Sequence, residues 1–133
     1  MKLLKIVGVL LLVYVGIVTA FESLIGYFQP QGGNTVIITT TDATGTAKDR
    51  VVARLESEGK LYVAANHWPR AWYRQVLEHP QVAVTVDGER APFTAVPVAQ
   101  DEYERLQAEH PHSLAFRVLT GFPPRRFVRL DPL

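Results

Sequence analysis

The chain contains no cysteine. That absence removes disulfides, thiolate metal ligands and a cysteine nucleophile together. It leaves the compartment open, because a small exported domain can do without bridges. Net charge is also scarce, at +1, so no broad basic surface argues for nucleic acid. A Gly-x-Ser-x-Gly elbow, a Walker lysine loop and a Rossmann glycine fingerprint are all missing, and covalent catalysis has no obvious nucleophile. Histidines stand at positions 67, 79, 110 and 112. His110-Pro111-His112 is the tightest group, but no carboxylate or further histidine falls at ligand spacing, so no metal site is expected. No internal repeat or low-complexity tract is present.

What the sequence does have begins with an apolar start. Lys2 and Lys5 precede the uncharged run from Ile6 to Phe21. The run alone is slightly short for a membrane span. Leu3, Leu4 and a snorkelling Lys5 make it adequate. Val18-Thr19-Ala20 would also serve as a signal-peptide cleavage site. The interfacial aromatics Phe21, Tyr27 and Phe28 favour an uncleaved anchor. Residues 1–28 are therefore read as a transmembrane anchor, or else a signal peptide, and 29–34 as a linker of breakers, Gln29 to Asn34. The next basic residue after Lys5 is Lys48. That asymmetry keeps the N-terminus inside and places a domain spanning 35–133 on the periplasmic or outer side of a single-pass chain.

With 133 residues in all, the chain has room for one domain. Thr35 to Thr41 is β-branched enough for a strand, Asp42 to Ala47 is a turn, and a second strand runs from about Arg50 to Ser57. Glu58-Gly59 closes a hairpin onto Leu61 to Ala65. A helix follows with Pro69 near its first turn, carrying Trp72 and Val76 on one face with Tyr73 and Leu77 beside them, and His79-Pro80 ends it. Val82, Val84 and Val86 share one face of a fourth strand, and Asp87-Gly88 is the strongest hairpin signal. The fifth strand, about Arg90 to Val98, carries Pro92 and Pro97 and is expected at an edge or bent. Asp101 with Glu104 predicts a capping box for the next helix. Pro111 stops that helix, Ser113 to Leu119 makes a shorter one with Gly121 past its end, and Arg126 to Leu130 is a last strand. Six strands with hairpins and few helices predict a mainly β chain, a small antiparallel barrel closed to avoid edges.

Two stretches carry polar chemistry. Asn66-His67-Trp68-Pro69-Arg70-Ala71-Trp72-Tyr73 gathers both tryptophans, a histidine and an arginine where a strand hands over to a helix. Such residues on a connection make a wall for a flat ligand, although Trp72 and Tyr73 also suit a core with wet edges. The turn from Thr44 through Gly45, Lys48 and Arg50 offers hydroxyls, N–H groups and two cations, a set suited to phosphate. It also suits an ordinary solvated hairpin turn.

Several motifs together resemble one family. They are Ile37-Ile38-Thr39-Thr40-Thr41, Thr44-Gly45, Arg50, Val63-Ala64-Ala65, Pro69-Arg70-Ala71-Trp72-Tyr73, His79-Pro80-Gln81-Val82 and the closing Arg126-Phe127-Val128-Arg129-Leu130. This pattern looks like the deazaflavin-dependent nitroreductase and quinone reductase family over residues 34–131. The resemblance implies the split β-barrel shared with flavin-binding pyridoxamine-phosphate oxidases, often dimeric. It implies deazaflavin or FMN as cofactor and a quinone or nitro-type substrate, for which a membrane anchor would suit a lipid-soluble quinone. It matches Thr44, Gly45 and Arg50 to the phosphate turn, with Lys48 close enough to help, and Trp72 and Tyr73 to the helix start. If such a cofactor binds, Asn66, His67 and Trp68 are expected on the ring or substrate side. His67 is the expected catalytic proton donor. The chain departs from the family pattern where Asp42-Ala43 replace a basic pair, where Asn66-His67-Trp68 shorten a glycine-rich loop, and where His110-Pro111-His112 replace a tyrosine-bearing motif. A second expectation follows from these departures and from export, since deazaflavin is made and reduced inside the cell. In it, a non-catalytic split barrel binds an apolar ligand, haem (with His67 as axial ligand) or an envelope partner.

Overall fold

The computed structural model describes residues 1–28, 34–65 and 71–133. The described elements run α1 (Lys2–Phe28), β1 (Thr35–Thr41), β2 (Ala47–Ser57), β3 (Lys60–Ala65), α2 (Ala71–Glu78), β4 (Gln81–Val86), β5 (Glu89–Pro97), α3 (Gln100–Glu109), α4 (Leu114–Thr120) and β6 (Arg126–Pro132). Every strand pair is antiparallel, and the sheet closes in the order β1-β2-β3-β6-β5-β4. The six-stranded antiparallel barrel expected from the sequence is the fold that forms.

Two hairpins set its local register. Glu58 and Gly59 have φ of 51° and 75°, and Asp87 and Gly88 have 51° and 85°. Left-handed geometry at both central residues is the type I′ turn, whose twist matches that of the strands it joins. Ser57 accordingly faces Lys60, and Val86 faces Glu89.

Alternation along the strands builds two apolar layers. Val36, Ile38, Val52, Val63, Ala65, Val82, Val84, Ala95, Val128 and Leu130 form the main buried cluster, and α2 adds Trp72 and Val76 to it. The opposite face of β3 and β6 presents Tyr62, Ala64 and Phe127 to Leu106 of α3. Adjacent residues such as Val63 and Ala64 thus serve different layers, as a period of two requires.

The prolines of β5 receive a specific explanation. β5 pairs with β4 from Glu89 to Thr94 and with β6 from Phe93 to Pro97. It is flanked within a closed barrel and does not form a free edge. Pro92 lies where only β4 is paired, and Pro97 where only β6 is, so each ring has one side that needs no ladder donor.

The start of α3 differs from the expected capping box on Asp101. Ala99 is the N-cap in extended geometry, and its N–H donates to Glu102 Oε1 at 3.4 Å, while Asp101 lies inside the first turn. A capping carboxylate needs only the right position, three residues past the cap, and Glu102 holds it. Ser113 caps α4 by accepting from the Phe116 N–H at 3.2 Å, and Gly121 ends it at φ 76°.

Helix α1 stands against α4 alone among the elements in substantial contact with it. Its stretch Lys2–Ile25 has mean hydropathy 2.5 and none of its most apolar window is buried. By length and composition it can cross a membrane, and a signal sequence would meet the same criterion.

Candidate functional site

The β1–β2 turn is organised by Asp42. Its Oδ1 accepts from the Thr44 N–H at 2.9 Å, the Thr44 hydroxyl at 2.6 Å and the Thr46 N–H at 3.0 Å. Its Oδ2 lies 3.6 Å from Lys48 Nζ. The Thr44 hydroxyl bond is the main cause that holds the Asp42 carboxyl down at about 2, with the Thr46 and Thr44 N–H groups and Lys48 adding to it against slight desolvation. Gly45 supplies the positive φ of 82° that the turn needs, and its N–H donates to the Asp42 carbonyl at 3.0 Å. Thr44 and Gly45 are therefore exposed turn residues bound to Asp42.

Beyond the turn, register decides what faces what. Thr40 pairs with Lys48, Ile38 with Arg50 and Val36 with Val52, so Lys48 and Arg50 continue the row of Val52. β1 pairs with β4 only from Ile37 to Thr39, and the β1–β2 ribbon runs past that pairing. There α2 lies across it. Thr40, Lys48, Asp49, Arg50, Ala71, Trp72 and Gln75 line a cleft of about 360 Å³. The Thr39 hydroxyl holds Asp49, and the Thr40 hydroxyl holds Gln75, both at 2.5 Å. Ala71, Trp72 and Gln75 present one side of α2 to the cleft.

The structure thus brings Lys48, Arg50 and Trp72 together and leaves Thr44 and Gly45 outside the cleft lining. Trp72 is 5% exposed and belongs to the core cluster, with one edge on the cleft. Tyr73 is half-buried, packs against the same cluster and meets the Trp72 ring edge-on at 6.0 Å. Asn66, His67 and Trp68 lie outside the described residues. Thr40, Asp49, Ala71 and Gln75 were not singled out from the sequence. The hairpin register alone would have paired Thr40 with Lys48, but nothing local announces Gln75, which arrives with α2.

A second polar cluster, also unforeseen, lies under α3. The Tyr62 hydroxyl donates to Glu102 Oε2 at 2.9 Å and accepts from Arg105 Nη2 at 3.1 Å. Arg129 Nη1 donates to both Glu102 oxygens at 3.0 and 3.1 Å, and its Nε meets Asp131 Oδ1 at 2.9 Å. Arg105 also reaches Ser57 Oγ at 2.9 Å. Burial, then the hydrogen bond to Glu102, pushes the Tyr62 phenol up. Burial opposes ionisation of Glu102, yet its bonds from Tyr62 and Arg129 outweigh that and hold its carboxyl below the usual range. Two further grooves, of about 300 and 730 Å³, flank the α3–α4 connection, with Arg125 lining both. Arg125 is committed to Gln107 Oε1 at 2.7 Å and the His110 carbonyl at 2.6 Å, over the Phe127 ring.

Residues 12–115 match the model of one protein family, the F420H(2)-dependent quinone reductases. The chain belongs to that family. The match begins inside α1 and takes in the cleft and both hairpins. Solved structures agree on the barrel fold. An F420-H2 dependent reductase, FDR-A, is 22% identical over 72% of this chain and 93% of its own, with a TM-score of 0.53. HutZ, the haem storage protein from Vibrio cholerae, is 18% identical over 85% and 90%, with a TM-score of 0.58. A protein described as a domain-swapped dimer is 20% identical over 74% and 80%, with a TM-score of 0.59. At these identities the likeness is one of fold. No curated protein matches the chain.

Proposed function

We propose that this member of the quinone reductase family is a membrane-anchored reductase that uses the deazaflavin F420, with FMN as the alternative cofactor, to reduce a quinone or nitro-type substrate. The observation that carries the reading is the family match over residues 12–115, and a cleft lined by two cations supports it. Lys48 and Arg50 line the cleft together with Trp72, and Asp49, held by Thr39, shares that lining. When bound, the deazaflavin supplies hydride chemistry, and the protein supplies position and water exclusion. Lys48 and Arg50 hold the phosphate end. Thr44 and Gly45 act at one remove, by fixing the turn from which Lys48 and Arg50 project. Asn66, His67 and Trp68, on the connection into α2, are assigned the ring or substrate side, with the His67 imidazole giving a proton to the reduced quinone oxygen.

The domain plan in this reading is an anchor at 1–28, a linker at 29–34 and a barrel at 35–133. The family match starts at residue 12, so cleavage after Ala20 would remove part of the matched region, which supports retention of α1. Lys2 and Lys5 keep the N-terminus inside and put the barrel on the periplasmic or outer face. The domain-swapped relative supports a homodimer for this chain as well.

A second reading is favoured by Asp42. It takes the hydroxyl and N–H of Thr44 and pairs with Lys48, so part of the turn's donor set is already engaged. A barrel that binds an apolar ligand, haem or an envelope partner without redox chemistry follows from that. The deciding experiment titrates the full chain in lipid nanodiscs with F420, FMN and haem, followed by absorbance and fluorescence. Saturable F420 or FMN binding with quinone turnover supports the reductase. Absence of binding by both retires it in favour of the second reading, and a haem Soret shift lost in His67→Ala selects haem.

A further inference from the structure

Helix α4 leaves its apolar residues uncovered. Leu114 is 69% and Phe122 49% exposed, and Val118 and Leu119 are each exposed between them. A seven-residue helix gains nothing from water on such a face. What adjoins it is α1. The Tyr14 hydroxyl donates to the Val118 carbonyl at 2.8 Å, and the Phe21 and Phe116 rings meet edge-on with centroids 6.2 Å apart. Tyr14 precedes Glu22, the first charge after the apolar run, by eight residues, or roughly 12 Å along a helix. A contact at that point on a membrane span draws its partner into lipid.

We propose that α4 together with Phe122 is an interfacial docking element that seats the barrel on the bilayer beside α1. This rests on the reading of α1 as a retained span and goes beyond it, because a span alone would allow the barrel to stand off on the linker. The occupant is the boundary between headgroups and acyl chains. An interfacial helix sinks about 5–10 Å there, and the Tyr14 contact, roughly 12 Å along α1 from Glu22, lies just past the deep end of that range. Charge agrees with that occupant. No acidic residue occurs between Glu109 and Asp131. Arg117, on α4, places its guanidinium over the Phe122 ring at 5.4 Å, where it can snorkel to anionic headgroups. The Thr120 hydroxyl is bonded back to the Phe116 carbonyl at 2.9 Å and is buried, so this polar group of the last turn stays out of the boundary. The groove of about 300 Å³ lined by Arg117, Thr120 and Phe122 then opens at the lipid surface.

The absence of cysteine makes the test clean. Single variants Leu119→Cys, Phe122→Cys, Leu10→Cys and Glu89→Cys of the full chain each take a polarity-sensitive fluorophore. They are reconstituted in phosphatidylcholine–phosphatidylglycerol vesicles containing lipids with brominated acyl chains. Labels at 119 and 122 are expected to be quenched like the label at 10, and roughly threefold or more above the label at 89 on the β4–β5 hairpin, as an interfacial depth requires. Quenching at 10 with labels at 119 and 122 behaving like 89 overturns the docking and leaves the anchor standing. Loss of quenching at 10 as well overturns the anchor, and the docking falls with it.

Discussion

The two polar clusters on this barrel follow different rules. Under α3, Glu102 sits between Tyr62 and Arg129, Arg129 between Glu102 and Asp131, and Arg105 reaches Ser57, Tyr62 and Glu58. The charges there close on one another. Beside α2, Lys48 and Arg50 line an open cleft, and the Lys48 side chain is 66% exposed, with Asp42 at 3.6 Å. A charge group satisfied within the fold supports the scaffold, and its removal strands a buried partner. Lys48, exposed at the mouth of that cleft, keeps interaction capacity for a ligand. The same residue types therefore have opposite expected phenotypes in the two places.

The largest test of that contrast is Trp72→Ala, which touches both core and cleft. It should lower the unfolding free energy in urea by about 3–5 kcal/mol, as for other buried aromatics, and weaken cofactor binding too. Arg50→Ala should separate the two effects. Cofactor binding falls by about 1.5–3 kcal/mol, the range of a charge-assisted hydrogen bond, while the urea midpoint stays near wild type. An equal loss of stability would make the cleft part of the scaffold and remove the contrast. Tyr62→Phe should do the reverse, costing about 1–2 kcal/mol of stability with cofactor affinity unchanged in the same titration.

The smallest effect concerns pH. The Asp42 carboxyl titrates at about 2 in the fold, below its ordinary value of 3.8. A lowered carboxyl contributes stability that is complete above its unfolded value and is lost as pH falls through the folded one. The turn should thus hold down to about pH 4 and loosen toward pH 2. Carboxyl NMR shifts would follow it, and Asp42→Asn should abolish the dependence at Thr44 and Thr46. Glu102 is lowered as well and acts with the same sign, so an acid titration of Asp42→Asn retains a residual transition from the α3 cluster.

Much of the fold was legible because its causes are local. Glu58-Gly59 and Asp87-Gly88 announce hairpins since glycine and its acidic neighbour accept positive φ. Val82, Val84 and Val86 show their shared face by alternation alone. The resemblance carried by Thr44-Gly45, Arg50 and Trp72-Tyr73 pointed to the family that the match over 12–115 shows. Asp42 was legible as a turn residue and as a departure from that pattern. Its work, binding Thr44 and Thr46 and facing Lys48, depends on turn geometry that the residue types do not fix. The cap of α3, at Ala99 and not at Asp101, was not legible because an alanine carries no capping side chain to announce it, and Glu102 and Glu104 are the same residue type differing only in helical position.

By itself the sequence determined the strand sequence, the two tight hairpins, the apolar α1 and the residue types available for chemistry, since these follow from backbone sterics and short-range periodicity. Tertiary structure decided which distant strands meet, with β1 on β4 and β3 on β6 closing the barrel. It also decided that β5 trades one neighbour for the other around its prolines, and that α2 lays Trp72 and Gln75 beside Lys48 and Arg50. Those placements come from burying two opposite faces of the same strands at once. That is a condition on the whole chain, and no single segment carries it.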